Sequence, residues 1–285
     1  MSLSEFVYTV LLKPKPLRWL ANRILCTMIP PEIQVRGATV IPNPRDPVVC
    51  GALALGVYEK DEISFFCERF RAGMTLVDVG ANVGLYSALA IKQGGGKVLA
   101  IEPLPETFAF LQKTLAANAT SSTVICENVA AGCEKGTLTL HCNPDNKGDN
   151  RLYPDPMLAH RREVPVETLD DLCELHSIPH VDFLKIDVQG AEWLVIDGAS
   201  RILSRSPGCI LMTEFWPDGI RKSGGDPRAY LNALASAGFE LSELVGNKLE
   251  PLAPEKLIKT TTGRSYRNIV GVARTIANQR NESES

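Results

Sequence analysis

The chain has 285 residues, 45% of them hydrophobic, and a formal net charge of −3 at pH 7 with histidine taken as neutral. That is enough apolar material for one large core and an appendage. The charges are mixed rather than blocked, which speaks against a nucleic-acid partner, because phosphate recognition asks for a basic stripe.

The eight cysteines form no Cys-x-x-Cys pair and have no histidine at metal-ligand spacing, so they are read as reduced thiols of a cytoplasmic protein. Near the N-terminus, the apolar run 6–12 is too short to span a bilayer and is cut by Lys13-Pro14-Lys15-Pro16. Residues 17–29 read as an amphipathic helix, expected to pack on the domain or on a second subunit of a homo-oligomer rather than on a membrane. Residues 30–47 are proline-rich and extended, a linker or a pair of short strands. Residues 59–70 have a helical pattern, with Ile63, Phe66 and Phe70 on one face. Residues 1–72 are thus expected to form an N-terminal cap.

Residues 75–79 read as a buried strand that ends in Asp78 and the loop Gly80-Ala81-Asn82-Val83-Gly84. A helix is expected over 83–90, then a second strand over 97–101 with Glu102 at its carboxyl end. Glycines let the backbone approach a ligand, and the loop and helix N-terminus offer free N–H groups. An acid at the tip of the next strand is placed to accept hydrogen bonds from two ribose hydroxyls. Asn82 stands where the dinucleotide fingerprint needs glycine, and the loop lacks the Lys-Ser/Thr pair of a P-loop. What remains is a ligand with an adenosine-like ribose and no phosphates to cradle, which S-adenosylmethionine fits. An NAD-dependent oxidoreductase and a catalytically silent nucleotide-binding scaffold are the competing readings.

A helix over 107–117 and a strand over 123–126 follow, leading to Asn128. Residues 136–140 alternate like a half-exposed strand, with 164–168 as its partner, held to an edge by Pro165. The polar stretch 143–160 between them reads as a lid or substrate loop, in which residues 145–151 are candidates for acceptor binding. Further on come a helix over 168–175, a strand over 181–187 ending at Asp187, a helix over 191–203 and a strand over 209–213 leading to Glu214. A helix over 227–237, strands over 239–245 and 268–272, and a polar tail over 276–285 complete the chain. His141 and His160 are expected to be exposed, and Trp193 and Trp216 to pack in the core. Repeated strand–helix units predict an α/β domain over 73–275 with a doubly wound, mostly parallel sheet that binds its ligand at the carboxyl ends of the strands. Asp78, Glu102, Asn128, Asp187 and Glu214 would all converge there.

The runs Asp78–Gly84, Ile101-Glu102-Pro103, Asn128-Val129-Ala130, Thr168-Leu169-Asp170 and 182–192 resemble the FkbM family of S-adenosylmethionine-dependent methyltransferases over about residues 73–245. The resemblance implies a seven-stranded class I methyltransferase (Rossmann-like) sheet and O-methylation of a sugar, glycolipid or polyketide-type small molecule. By position it implies that the loop from Asp78 through Gly80, Asn82 and Gly84 holds the methionine part and Glu102 the ribose. Asn128 and the Val129 amide would lie beside the adenine, and Asp187 beside the transferring methyl.

Methyl transfer from a sulfonium is an in-line displacement that needs an aligned oxygen and removal of its proton. Asp187 is the first candidate for that base and Glu214 the second. Lys185, two residues from Asp187, shares its strand face and can pair with an acid there. Asp187, Glu192 and Glu214 also form a set able to hold a divalent cation, which this chemistry does not require.

Overall fold

The computed structural model describes residues 15–119, 122–143, 150–154, 158 and 160–274, without the side chains of 15–21. The apolar run 6–12, most of the polar stretch before residue 160 and the tail 276–285 lie outside the described residues.

The chain opens with helix α1 (Lys15–Met28) and a hairpin of β1 (Ile33–Val35) and β2 (Ala38–Val40), so the proline-rich stretch holds a pair of short strands. Arg36 and Gly37 take positive φ values of 50° and 84°, the geometry that a two-residue hairpin turn demands. Helices α2 (Val49–Ala54) and α3 (Lys60–Arg69) follow. Next come β3 (Thr75–Val79), α4 (Leu85–Lys92), β4 (Lys97–Ile101), α5 (Pro105–Ala117) and β5 (Thr123–Glu127). A departure from alternation places β6 (Ala130–Ala131), β7 (Gly136–Cys142) and β8 (His160–Glu167) in a separate sheet. The alternation resumes with α6 (Leu169–Leu175), β9 (Phe183–Ile186), α7 (Glu192–Asp197), α8 (Ser200–Ser204) and β10 (Ile210–Phe215). Helices α9 (Pro217–Lys222) and α10 (Pro227–Ser236), strands β11 (Phe239–Val245) and β12 (Lys248–Pro251), helix α11 (Pro254–Thr260) and β13 (Arg267–Ala273) end the described chain.

The main sheet has the order β12-β11-β13-β10-β9-β3-β4-β5. β10, β9, β3, β4 and β5 are parallel neighbours, and β13 enters antiparallel between β10 and β11. The seven expected strands are all present, and β12 adds an eighth through a tight turn at Gly246-Asn247. Parallel strands covered on both faces need apolar side chains at nearly every position. Their period of two sends alternate residues to two cores. Val77, Leu99, Ile101, Leu184 and Leu211 face one core, while Leu76, Val98, Ala100, Phe183 and Met212 face the other.

The second core is closed by the segment before residue 73. Ile33, Val40, Cys50, Ile63 and Phe66 are buried in it beside Leu89 and Ile91 of α4. Phe66 lies 4.8 Å from the ring of Phe183 and 5.3 Å from that of Tyr86, both edge-on, and stacks on Phe70 at 5.1 Å.

Two expectations change. The helix expected over 191–203 is two helices, α7 and α8, parted at Gly198-Ala199. The Gly198 carbonyl accepts from Asp170 N at 3.0 Å, and the Asp170 carboxylate accepts from the Arg201 and Ile202 amides, so that it caps α8. Pro165 does not hold β8 to an edge, because β8 lies between β6 and β7. β6 meets it only at Val166 and Glu167, however, so Pro165 itself has a ladder partner, Thr137, on one side alone.

Truncating Phe66 to alanine removes a fully buried ring from three aromatic contacts. Denaturant unfolding is expected to show a loss of about 3–5 kcal/mol, and a loss below about 1 kcal/mol would mean that the N-terminal segment is not part of the core that supports β9.

Candidate active site

A cavity of about 470 Å³ opens at the carboxyl edge of the sheet, within the range usual for small-molecule sites. It sits where the strand order reverses, with β4 and β5 on one side of β3 and β9 and β10 on the other. Val48, Val49 and Ala52, around the start of α2, and Leu138, Leu140 and Leu152 give it apolar walls, and Asn150 also lines it.

The loop after β3 is pinned from both sides. Gly80 and Ala81 both donate their amides to the Ile101 carbonyl at 2.9 Å, while the Asp187 amide donates to the Val79 carbonyl at 3.0 Å. Gly80 has φ +76°, and a Cβ there would lie 2.0 Å from the Asp187 carbonyl oxygen, so no side chain fits. Asn82 lines the cavity at φ +51°, and its amide donates to Glu102 Oε2 at 3.1 Å. Glu102 Oε1 accepts from the Leu104 amide at 3.0 Å. Burial pushes the Glu102 carboxyl up to about 7, against the pull of those two amides.

The remaining sequence-derived residues of this side stand behind the wall. Asp78 is buried below the loop, accepting from the Ser87 hydroxyl at 2.7 Å, and burial raises its carboxyl above the ordinary range. Gly84 precedes α4 at φ +87° and packs against Leu111 and Thr114 of α5. Asn128 donates to the carbonyls of Glu102 and Pro103, at 2.8 and 3.0 Å, and so braces the turn that carries Glu102. Val129 packs against the core.

On the other side the acids gather. Glu59, Asp187 and Glu214 all line the cavity, and each offers a carboxylate oxygen within 4.8 Å of the other two. The Lys185 ammonium lies 3.6 Å from Asp187 Oδ2 and 4.7 Å from the centre of the Tyr86 ring. Burial works against that charge, but Asp187, Glu59 and Asp78 outweigh it and hold the ammonium above its usual range. Gln189 donates to Asp187 at 2.8 Å and to Glu214 at 3.3 Å, and the Tyr86 hydroxyl donates to Glu59 at 2.6 Å. Burial and the neighbouring Asp187 push the Glu214 carboxyl well up, so it keeps its proton to higher pH than a free side chain would. Burial also raises Glu59, against the pull of Lys185.

Glu192 joins neither group. Its Oε1 accepts from the amides of Val188 and Gly190, at 3.1 and 3.2 Å, so it closes the turn after β9 and is not within the acid cluster. Glu59 takes the third place in that cluster. It escaped the sequence reading because it looks like one more acid at the start of a helix, in the run Glu59-Lys60-Asp61-Glu62. Tyr58, Tyr266 and Gln189 also line the cavity and were not singled out. His141 is buried on β7, contrary to expectation, while Trp193 and Trp216 donate to Ser223 Oγ and the Gly263 carbonyl and do not line the cavity. Among the described residues, no helix is long and apolar enough to cross a membrane.

Comparison with known proteins gives a consistent result. The family described as Methyltransferase FkbM domain matches residues 78–241. Methyltransferase sdnD of Sordaria araneosa is 27% identical over a match spanning 51% of this chain and 68% of that protein. Methyltransferase 1 of Beauveria bassiana is 29% identical, over 43% and 57% respectively. Hexuronic acid methyltransferase AglP of Haloferax volcanii is 25% identical, over 51% and 58%. The chain thus spans between about half and two thirds of the length of the relatives it matches.

Two outcomes test this construction. Gly80→Ala must move either the loop or the Asp187 backbone, and is expected to cost more than about 1 kcal/mol in thermal unfolding while weakening any ligand of the cavity. Glu192, pushed by burial up to about 7 from an ordinary 4.5, binds more protons folded than unfolded between those values. Its contribution therefore makes the protein less stable as pH rises through that window. Glu192→Gln, with an uncharged side chain of the same shape, should fold and should flatten the fall of the unfolding midpoint between pH 4.5 and 7; an unchanged pH profile would show that Glu192 is ionised in the native state.

Proposed function

Since the chain belongs to the FkbM methyltransferase family, we propose that its cavity holds S-adenosylmethionine next to a hydroxyl of a sugar, glycolipid or polyketide-type small molecule, and that the protein is an O-methyltransferase. The observation that carries this reading is the convergence of the Gly80 loop, Glu102, Asp187 and Glu214 on one cavity at the switch point of the sheet. The residues present fit the cofactor. Asn82, on the cavity wall, carries a buried Oδ1 without a partner, suited to the ammonium of a methionine tail, and Gly80 lets the loop lie close against the Asp187 backbone beside it. Glu102, held rigid by the Asn82 and Leu104 amides, presents its remaining lone pairs to two ribose hydroxyls. Asp78 supports the loop from beneath, and Asn128 and Val129 shape the adenine side.

When bound, S-adenosylmethionine supplies an electrophilic methyl group on a positively charged sulfur. Asp187 orients the acceptor hydroxyl and takes its proton at the carboxylate, with the Lys185 ammonium as neighbouring counter-charge. Glu214, whose carboxyl burial and Asp187 hold well above the ordinary range, stands beside Asp187 to hydrogen-bond the same acceptor. The apolar walls limit the access of water that would compete for the methyl group. The hexuronic acid in the name of AglP supports a sugar-type acceptor and does not fix its charge.

Isothermal titration is expected to give micromolar-range binding of S-adenosylmethionine, weakened about 10- to 100-fold in Glu102→Ala, with no heat from NAD. Binding of NAD instead, or of neither, would remove this reading. Asp187→Asn should lower turnover by about 10²- to 10⁴-fold while leaving the cofactor's Kd within a few-fold; turnover close to that of the unaltered protein would move the base elsewhere.

A further inference from the structure

The polar groups of the cavity fall into two sets on either side of β3. Glu102, on the β4 side, belongs with the glycine loop, whereas Asp187 and Glu214 stand on β9 and β10. Glu59 joins the second set from outside the family-matched region 78–241, carried in by the turn between α2 and α3. Its backbone is strained, at φ +39°, in the left-handed region that a non-glycine residue adopts only when its surroundings enforce it. The Tyr86 hydroxyl, itself at the core, fixes its carboxyl at 2.6 Å. Tyr58 and the half-exposed Tyr266 line the same end of the cavity.

The chemistry of this end is one-sided. Four of the residues lining the cavity carry carboxyls, Glu59, Glu102, Asp187 and Glu214, and among the described lining residues none is basic. Lys185, whose ammonium reaches the cluster, is already engaged with Asp187 and the Tyr86 ring. Burial first, and the neighbouring Asp187, hold Glu59 and Glu214 above the ordinary carboxyl range, so added negative charge beside them is disfavoured. Carboxyl groups in that state accept from and donate to hydroxyls, and aromatic rings beside them give a sugar-like ring an apolar face to rest on. A further carboxylate or phosphate would add negative charge where the described residues offer no free cation to balance it, and would be left desolvated and unpaired.

We propose that Glu59 is a specificity-determining residue: with Asp187 and Glu214 it binds hydroxyls of an uncharged polyhydroxylated acceptor and turns away an acceptor that carries an anionic group at that end. This rests on the methyl-transfer reading and narrows it. The acidic substrate named for AglP is therefore not expected to be matched here.

The test titrates the protein, saturated with S-adenosylhomocysteine, with methyl α-D-glucopyranoside and with methyl α-D-glucopyranosiduronate, two probes that differ in one charged group. The neutral glycoside is expected to bind at least about tenfold more tightly, with a millimolar-range Kd. Glu59→Gln, which keeps the shape and cannot take up the negative charge that the acid cluster shares, should bring the two affinities to within about threefold, mainly by strengthening the uronate. Equal binding, a preference for the uronate, no binding of either glycoside, or a ratio untouched by Glu59→Gln in a folded variant would each overturn the proposal. Should Glu59→Gln fail to fold, the preference of the unaltered protein decides alone. The cofactor reading is tested separately, since S-adenosylmethionine that binds alongside non-discriminated glycosides leaves methyl transfer standing and removes only the role of Glu59. If S-adenosylmethionine does not bind, methyl transfer falls first, and the same titration is then run on the unloaded protein.

Discussion

The carboxyl edge of the sheet depends on one close backbone contact, between Gly80 at the end of β3 and Asp187 at the end of β9. The Asp187 amide donates to Val79 and its carbonyl presses on Gly80 where a Cβ would lie 2.0 Å away. The same loop is tied to β4 through the Ile101 carbonyl, which accepts from two consecutive amides. A single short loop is thereby fixed against both halves of the doubly wound sheet, at the point where their strand orders diverge. Glu102 and Asp187 cannot move apart without breaking one of these ties, so the acid suited to a ribose and the acid suited to a proton transfer are held at a set separation.

The second constraint is electrostatic. Asp78, Lys185, Asp187 and Glu214 occupy the same face of three adjacent strands, because Asp78 pairs with Lys185 in register and Lys185 with Met212. A buried ammonium is costly unless carboxylates surround it, and a buried cluster of carboxylates is costly without an ammonium. Each therefore requires the other, and removing one partner would leave an uncompensated charge in the core. Strain collects at the same place. Of the five described non-glycine residues with positive φ, three, Glu59, Asn82 and Gln189, line the cavity. Strain of that kind persists only where the surrounding packing over-determines it, and here the Phe66–Phe183–Tyr86 cluster lies directly beneath.

Much of the strand framework is legible in the sequence alone. The five parallel strands of the doubly wound sheet stand out as short apolar runs closed by a polar residue, since a strand covered by helices on both faces must be apolar throughout, while β11 and β13 are less uniform. The glycine loop and Glu102 were readable for a related reason, as close backbone approach restricts the residue type to glycine. Local pattern was less informative where distant chain intervened. Within residues 191–203 only Gly198 hints at the break, and a lone glycine does not fix it; the carbonyl's hydrogen bond from Asp170 and the close approach of the Gly132 backbone do. Asp78 and Asn128 sit at strand ends as expected, yet they brace the wall instead of lining it: Asp78 is level with Lys185, one strand repeat below Asp187, and is held by Ser87, while the Asn128 amide is turned to the Glu102 and Pro103 carbonyls.

The sequence by itself thus determined the fold class, the position of the ligand edge and the residue types gathered along it, because these depend on periodicities and steric exclusions that act over a few neighbouring residues. Only the tertiary structure decided which carboxyls share a cavity. Glu192, three residues from the turn glycine's partner Gln189, folds back on its own loop, while Glu59, 128 positions before Asp187, takes the place beside it. Membership of that cluster is set by the packing of the N-terminal segment on the sheet, a long-range contact for which no short window of sequence carries a signal.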